Sequence, residues 1–257
     1  MKKIFKSFTL IINYKTFIIT AMAVLSTFVC FRLGLTAKFP DMLVGVAIVF
    51  PVVFSIGSAY SRRETALQRY ADFKGHAIAI YYATRDWTSS KDSALSLQMS
   101  QLVQDLMYQT KLMLKLTPDE FSKREKEMYG LFSKLSILSM RLRELGVQSG
   151  EISRVSQYVS KIIIAFDNMK IIHNYRTPVT LRTYSKVFIY VFPIIYGPYF
   201  SSTFNEYSAH LEYVMPVLYS FILVSLDNIQ DHLENPFDEI GEDDIVIDAD
   251  EVRNLMV

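Results

Sequence analysis

The side chains that most often carry out chemistry in proteins are widely separated in this sequence. The histidines are isolated, without a second ligand at metal spacing, and they are His76, His173, His210 and His232. Asp72 and Asp86 form no obvious acid–base pair. No serine has a nucleophile motif around it, and the nine glycines form no phosphate-binding loop. We therefore expect neither an enzyme nor a bound cofactor.

The charged residues are unevenly distributed along the chain. The formal net charge is +1, yet residues 227–257 hold eleven acidic residues and one arginine, while the rest holds 26 basic and 15 acidic residues. Such a tail is most often solvated, but it could also bind the basic body of its own or a neighbouring subunit. The basic residues flank apolar runs and form no single stripe, so nucleic acid is not an expected partner.

Four uncharged apolar runs are the elements that would position these charges. They are residues 17–31, 42–60, 187–205 and 214–226. With its flanks, each reaches the roughly 20 residues that a helix needs to cross a bilayer. The sequence therefore predicts four transmembrane helices and a lipid bilayer as partner. A buried core helix is the alternative for the fourth run, and a secretory signal is the alternative for the first.

The positions of lysine and arginine predict the orientation of these helices. They precede the first run, follow the second and precede the third, as Lys2, Lys3, Lys6, Lys15, Arg62, Arg63, Arg69, Arg176, Arg182 and Lys186. Short cytoplasmic flanks carry an excess of positive charge. We therefore expect a multi-pass protein of the inner membrane, with both termini and the central region in the cytoplasm.

The central segment has the periodicity of amphipathic helices. Residues 62–87 extend the second run, and apolar stripes follow over residues 94–116, 121–145 and 151–173. Thr117, Pro118 and Glu120 form the signature of a helix start with a capping box. These stripes predict a helical core rather than a cofactor site.

Short motifs along the chain together resemble the bestrophin family, and the resemblance covers most of the sequence. Their order and separations carry the resemblance, because each motif alone is weak. They are Arg69-Tyr70-Ala71-Asp72-Phe73-Lys74, Thr177-Pro178-Val179, Ser225-Leu226-Asp227 and Leu233-Glu234-Asn235-Pro236-Phe237, the last followed by an acidic cluster.

The resemblance implies an all-α integral membrane protein that assembles as a homopentamer around an axial pore. Residues 1–61 would hold the first two transmembrane helices and 62–182 the cytoplasmic helical bundle. Residues 183–226 would hold the third and fourth transmembrane helices, and 227–257 the acidic cytoplasmic tail. The implied function is passive conduction of small inorganic ions, with chloride expected from the behaviour of most members.

In the family, the second transmembrane helix lines a narrow neck with apolar side chains four residues apart. A gap-free alignment from Arg69-Tyr70 places Val53, Gly57 and Ser61 at those positions. Gly57 and Ser61 depart from the family pattern and imply a wider, wetter neck. A shifted register would bring Phe54 or Ile56 inward instead.

A second constriction of the family lies at the start of the helix before the third transmembrane segment. Counting back from Thr177-Pro178 places Ile152 there. A ring of isoleucines would exclude water from a narrow aperture. The alternative is that Ile152 is the first core residue of its helix.

Animal members of the family bind calcium near the acidic cluster, which raises the question of a metal site. Asn235, Glu242, Asp243 and Asp244 could supply some of the about six to eight oxygen ligands that calcium takes. Residues 238–240 are inserted here, and bacterial relatives generally lack the site. We therefore expect no bound calcium and interpret Asp243 and Asp244 as part of a docking or solvated tail.

Two functions follow from these observations. The first is an ion channel in which Arg62 and Arg63, at the inner end of the second run, raise the local anion concentration. The second is a non-conducting membrane scaffold or sensor whose helical body binds a partner. A channel requires a closed ring of subunits, whereas a scaffold does not.

Overall fold

A computed structural model describes residues 11–38, 41–88, 93–203, 211–241 and 243–256. In these ranges the chain is helical without strands, which confirms the predicted all-α class. The α-helices of the described residues are α1 (Tyr14–Leu33), α2 (Asp41–Asp86), α3 (Ser93–Met113), α4 (Pro118–Met140), α5 (Ser149–Asn174), α6 (Val179–Ile195), α7 (Gly197–Thr203), α8 (Leu211–Leu233) and α9 (Ala249–Leu255). A 3-10 helix, Arg141–Arg143, follows α4.

The chain divides into two compact units. The first unit consists of Met1–Arg62 and Arg176–Glu234, and the second consists of Arg63–Tyr175 and Asn235–Val257. The sequence places the segment boundaries after residues 61, 182 and 226. The last boundary differs most, because α8 continues to Leu233 and so keeps residues 227–233 in the first unit.

In the first unit, α1 is long and apolar enough to cross a membrane, by length and composition. The Asn13 side chain caps its start by accepting hydrogen bonds from the backbone N–H groups of Lys15, at 3.0 Å, and Thr16, at 3.4 Å. Gly34 ends the helix with φ +64°, a left-handed conformation that costs glycine little. The first apolar run thus forms one capped helix.

The third apolar run folds as two helices, α6 and α7, with the break at Tyr196. Pro193 lies in the last turn of α6, and Pro198 follows the break. Proline removes a backbone donor and interrupts the hydrogen-bond pattern of a helix. Gly197 lies so close to α1 that an added Cβ would meet the Ser26 Oγ at 2.4 Å and the Thr27 nitrogen at 3.1 Å.

The helices of the first unit pack around a small apolar cluster. Its buried members come from α2, α6 and α8, and they are Ile48, Val52, Ile189, Leu223 and Val224. Helices α1 and α8 run antiparallel. Near the start of α1, the Asn13 amide donates to the Asn228 side chain at 2.8 Å, and further along the Ser220 hydroxyl donates to Thr20 at 2.9 Å.

The second unit contains a larger core built from the second half of α2 and from α3, α4 and α5. The predicted helix start is confirmed, because the Thr117 backbone N–H and hydroxyl donate to the Glu120 carboxylate at 3.2 and 2.8 Å. Phe121, Phe132 and Phe166 pack together at the centre, with the Phe132 and Phe166 rings 5.4 Å apart. The predicted extension of the second apolar run is also found, since α2 continues without interruption to Asp86.

Residues 235–256 of the acidic tail form part of the second unit. Ile245, Ile247, Val252 and Met256 are buried in its core, and α9 forms near the end of the chain. The Lys74 amine contacts the Glu251 carboxylate at 2.6 Å. Of the predicted alternatives for the tail, the structure has the one in which it binds the basic body of its own chain.

Candidate functional site

One face of α2 in the first unit carries the three predicted neck residues, all of them exposed. Val53 is 59% exposed, and Ser61 is also exposed. An added Cβ at Gly57 would meet no atom within 4 Å. Residues four apart lie on the same side of a helix, so these three form one continuous strip of accessible surface, which we call the α2 face.

The two residues that a shifted register would bring inward differ from each other. Phe54 is 59% exposed and lies beside the α2 face, where its ring is 5.0 Å from that of Phe50. Ile56 packs against the apolar cluster of the first unit. Within this fold, Phe54 is therefore the available alternative neck residue, and Ile56 belongs to the core.

Arg62 lies at the end of the α2 face, and its side chain forms contacts within the first unit. Its Nε donates to the Glu234 carbonyl oxygen at 3.3 Å, and the Glu234 carboxylate, 2% exposed, pairs with the Arg182 guanidinium at 2.7 Å. Burial lowers the pKa of Arg62, and Glu234 partly opposes this shift. The expected inner-mouth cation is thus an internal anchor, because its guanidinium is held beside a buried carboxylate.

Arg63, the other expected inner-mouth cation, lies in the second unit and holds the tail. Its Nε and Nη2 donate to the Asp243 carbonyl oxygen at 2.9 and 2.8 Å, and Nη1 contacts the Glu64 carboxylate. All three nitrogens of the guanidinium are therefore engaged within its own unit. These contacts hold both arginines within their own units, and that Arg62 and Arg63 raise the local anion concentration stays a prediction.

The family-like motif on α2 alternates between the surface and the core of the second unit. Arg69 and Asp72 form an exposed ion pair at 3.1 Å, one helical turn apart. Tyr70 and Phe73 are buried in the core beside the tail, and burial raises the pKa of the Tyr70 hydroxyl. The aromatic members of the motif thus pack the core, and its charged members lie on the surface.

The Asn235-Pro236-Phe237 motif begins the tail and anchors it. Phe237 is buried in the core of the second unit, and the Pro236 carbonyl oxygen accepts from the Ile245 backbone N–H at 2.8 Å. The Asn235 amide donates to the Asp238 carboxylate at 2.9 Å. The motif therefore closes a loop over residues 235–245.

Two carboxyl groups of this loop, those of Asp238 and Asp244, influence each other electrostatically. Asp244 also accepts from the Gly241 backbone N–H at 2.9 Å. Burial, together with Asp238, raises the pKa of Asp244 to about 7. The inserted Glu239 adopts a left-handed φ of 59° and is held by Lys111 and Lys115, at 3.2 and 2.6 Å.

These contacts account for the calcium candidates that the structure describes. The Asn235 amide and the Asp244 carboxyl bond within the loop, and Asp243 contributes its carbonyl oxygen to Arg63. Glu242 lies outside the described residues. Among the described side chains, no group of three histidines, cysteines or carboxylates is placed to share one metal ion.

Ile152 lies near the start of α5 and is only 4% exposed. It belongs to the core cluster of the second unit, as do Val155 and Leu142. A side chain covered by its own subunit cannot line an axial opening, since assembly only removes further surface. The aperture expectation for Ile152 is therefore corrected, and the structure has the alternative in which Ile152 is a core residue.

A polar cluster between α6 and α8 was not predicted. The Lys186 amine contacts the Asp231 carboxylate at 2.9 Å and Asp227 at 3.9 Å, and the Tyr190 hydroxyl donates to Asp227. Asp227 is fully buried. The signal was present in the spacing, since basic residues 182 and 186 are four apart and acidic residues 227, 231 and 234 recur with helical period.

No protein-family model matches this sequence. No curated protein matches it either. Because neither sequence comparison found a match, the resemblance rests on the motifs and on the fold.

Solved structures match the fold over nearly the whole chain. One structure of a bacterial bestrophin homolog from Klebsiella pneumoniae is 14% identical, covers 100% of this chain and 98% of that chain, and has a TM-score of 0.77. Another from the same organism is 14% identical, covers 94% and 95%, and has a TM-score of 0.80. A structure described as that of a membrane protein is 14% identical, covers 95% and 98%, and has a TM-score of 0.79.

The resemblance inferred from the sequence motifs is thus confirmed at the level of the fold. Chains that are only 14% identical to this one share its fold over lengths that agree almost completely. The chain has the fold of the bacterial bestrophin homologs.

Proposed function

We propose that this protein is a bestrophin-like ion channel of the inner membrane, which conducts ions passively through an axial pore in a homopentamer. The observation that carries this proposal is the α2 face. In a chain with this fold, Val53, Gly57 and Ser61 form an accessible strip, while the opposite side of the same helix packs in the core. A pore-lining helix requires one side that is accessible to the pore and one side that packs against its own subunit.

In the proposed topology, the four apolar runs cross the membrane and both termini lie in the cytoplasm. The capped, apolar α1 supports the first crossing. The positive flanks support the orientation. The third crossing consists of α6 and α7 together, with Ser26 of α1 donating to the Ile194 carbonyl oxygen at 2.7 Å beside the break. Satisfied backbone groups are required of any broken helix in lipid.

The proposed neck is wider than rings of Ile or Phe would make it. Gly57 contributes no side chain and Ser61 contributes a hydroxyl, so a ring of five subunits would stay hydrated at these levels. Val53 is the apolar position of the three and would form the driest level. Phe54, exposed beside it, would narrow the neck if α2 rotates slightly about its axis.

Chloride is the proposed ion, and the support for it is the resemblance to a family whose majority conducts anions. The two arginines expected to attract anions do not contribute to this part of the proposal, because Glu234 and Asp243 engage them. Selectivity would therefore depend on the neck itself.

The test is reconstitution of the purified full-length protein into liposomes, with flux measured under a chloride gradient and then under a sodium gradient. Chloride flux that exceeds sodium flux is the expected result. Native mass measurement of the same preparation should give a pentamer, because four helices of one subunit cannot enclose the pore. A monomer or dimer as the sole species, without flux, would overturn the proposal.

A membrane scaffold is the second candidate function. Large apolar side chains remain exposed on the second unit, which another protein could cover. They include Tyr108, Ile137, Ile164 and Ile171. A folded protein that binds vesicles, forms no ring and conducts neither ion would favour this candidate.

A further inference from the structure

Three charged residues of the first unit meet where α8 ends, and they come from three different helices. The Arg62 Nε of α2 donates to the Glu234 carbonyl oxygen at 3.3 Å, and the Arg182 guanidinium of α6 pairs with the Glu234 carboxylate at 2.7 Å. Glu234 directly follows Leu233, the last residue of α8. We call Arg62, Arg182 and Glu234 the arginine clamp, since together they join α2 and α6 to the end of α8.

Each arginine of the clamp satisfies a group that the end of α8 leaves available. The last carbonyl groups of a helix have no partner within that helix, and the helix dipole favours a cation beside them. The Glu234 side chain is 2% exposed, and a buried carboxylate requires a cation next to it. Both contacts are directional, whereas apolar packing is not, so the clamp specifies where this part of α2 lies in the first unit.

Arg62 lies on the side of α2 opposite to the α2 face. At about 100° per residue, its position is roughly 140° from that of Gly57 around the helix axis. Val52 and Ala59, which are 2% and 0% exposed, mark the buried side of the same segment. The bond from Arg62 to Glu234 therefore holds α2 from behind, and it draws the helix away from the space in front of the α2 face.

The segment of α2 that carries the α2 face begins just after Pro51, which lies inside the helix. Proline has no backbone N–H to donate, and helices bend most readily at such a residue. The Ser185 hydroxyl of α6 donates to the Pro51 carbonyl oxygen at 3.3 Å, and Val52 packs in the apolar cluster. The segment is thus fixed to its own unit beside the proline and fixed again by the clamp at Arg62.

We infer that Arg62, Arg182 and Glu234 are positioning residues of the neck, because the arginine clamp holds α2 against its own subunit and so keeps the neck wide. Without the clamp, α2 can tilt about Pro51 toward the axis, and the ring formed by Gly57 contracts. The inference rests on the proposed function, since the α2 face has to line the axis of a ring. It assigns to Arg62 an effect through position and not through its charge.

The first measurement follows α2 within one subunit of the full-length protein. Spin labels are attached to Gly57→Cys on α2 and Ile222→Cys on α8 in a Cys30→Ser background, and the labelled chain is assembled with an excess of cysteine-free chain. An added Cβ at Gly57 meets no atom within 4 Å, and Ile222 is 55% exposed, so both positions accept a label. Arg62→Gln and Arg182→Gln should lengthen the distance between the labels. Arg62→Lys should keep it, since an ammonium also donates hydrogen bonds.

Lys186→Gln is the matched control for the clamp variants. Lys186 lies on α6 one turn after Arg182, and its partners Asp231 and Asp227 are on α8, at 2.9 and 3.9 Å. This variant also removes a cation that joins α6 to α8, but its two carboxylate partners do not belong to α2. It should lower the thermal midpoint and leave the distance between the labels unchanged. An equal lengthening in Lys186→Gln would overturn the inference, because the cause would be a general loosening between α6 and α8.

The second measurement reports the width of the neck itself. Labels at Gly57→Cys in every subunit should give the two distances of a regular pentagon, and both distances should shorten in Arg62→Gln and Arg182→Gln. Flux of a bulky organic anion, gluconate, should fall more than chloride flux in the same variants, because a narrower neck excludes the larger ion first. Wild-type distances in both variants would overturn the inference, and a change in Arg62→Gln alone would overturn the joint role of Arg182.

The two measurements distinguish this inference from the proposed function and from an effect of charge. If the wild-type protein gives no pentagonal distances and no flux while the α2–α8 distance still lengthens in Arg62→Gln, the channel is refuted and the clamp within the subunit is not. If Arg62→Gln alters the preference for chloride over sodium while every distance stays at the wild-type value, Arg62 acts through its charge and the clamp is refuted.

Discussion

Gap-free counting along the sequence predicts two constrictions, one at the α2 face and one at the start of α5. In the structure the α2 face is exposed, whereas the predicted residue of α5 is buried. Val53 on α2 is 59% exposed, whereas Ile152 on α5 is 4% exposed. Spacing along a helix determines which residues share a face. Which face is covered depends on the neighbouring helices, and α5 turns the face with Ile152 toward the core of the second unit.

The largest expected effect comes from closing the α2 face. Gly57→Phe should abolish most ion flux per assembled channel, because five aromatic rings at one level would narrow and dry the neck. Ser58→Phe is the comparison variant, since Ser58 is exposed one helical turn from Phe54 and would face the neck only in the shifted register. Liposome flux normalised to folded protein provides the measurement. Equal flux in both variants would move the conduction path away from the α2 face.

Charge reversal at the inner end of α2 should affect stability rather than selectivity. Arg62→Glu removes the hydrogen bond to the Glu234 carbonyl oxygen and places a second carboxylate near the buried Glu234, so it should lower the free energy of unfolding by about 1.5–3 kcal/mol, the range for a hydrogen bond to a charged group. Arg69→Glu, at an exposed ion pair, should cost about 1 kcal/mol or less. Denaturation followed by circular dichroism measures both. An intact Arg62→Glu channel with a shifted reversal potential would restore the pore-mouth interpretation.

Truncation of Ile152 tests whether its side chain stabilises the core of the second unit. Ile152→Ala should lower the free energy of unfolding by about 2–5 kcal/mol, because the removed atoms leave a cavity in the core of the second unit. Ile164→Ala, at a side chain 56% exposed in the same helix, should change it by no more than about 0.5 kcal/mol. Unit conductance should stay at the wild-type value in both. Altered conductance in Ile152→Ala without a loss of stability would place the residue at an aperture after all.

The smallest expected effect is a pH dependence of the loop over residues 235–245. The pKa of Asp244 is about 7 in the folded chain, above the roughly 3.9 of an unperturbed aspartate. The stabilisation from its proton is thus complete below about pH 4 and is lost as the pH rises through about 7. The protection of the tail's backbone amides against hydrogen exchange, relative to the unfolded chain, should fall over that pH interval. Asp244→Asn should remove this pH dependence, and an unchanged pH dependence in that variant would contradict the assignment to Asp244.

Most of the local structure followed from the residues themselves. The Thr117–Glu120 capping box, the continuation of α2 to Asp86 and the all-α class were predicted because caps and apolar periods act over a few neighbouring positions. The family-like motifs also predicted the fold, although at 14% identity no single motif would identify it.

The partners of the charged residues could not be predicted in the same way. Arg62 and Glu234 are 172 positions apart, and Arg63 and Asp243 are 180 apart. No periodicity connects such positions, because their contact depends on how α2 packs against segments from the other end of the chain. The arginines therefore looked like pore-mouth cations in the sequence and are anchors in the structure.

The sequence by itself determined the all-α class, the start of α4 and which faces are apolar, since these depend on backbone hydrogen bonding and on short-range burial of apolar side chains. Only the tertiary structure decided that Ile152 is core and that residues 235–256 of the acidic tail pack on the basic unit of their own chain. The physical reason is that burial and ion pairing join residues far apart in the chain, so their outcome is settled only when the helices pack.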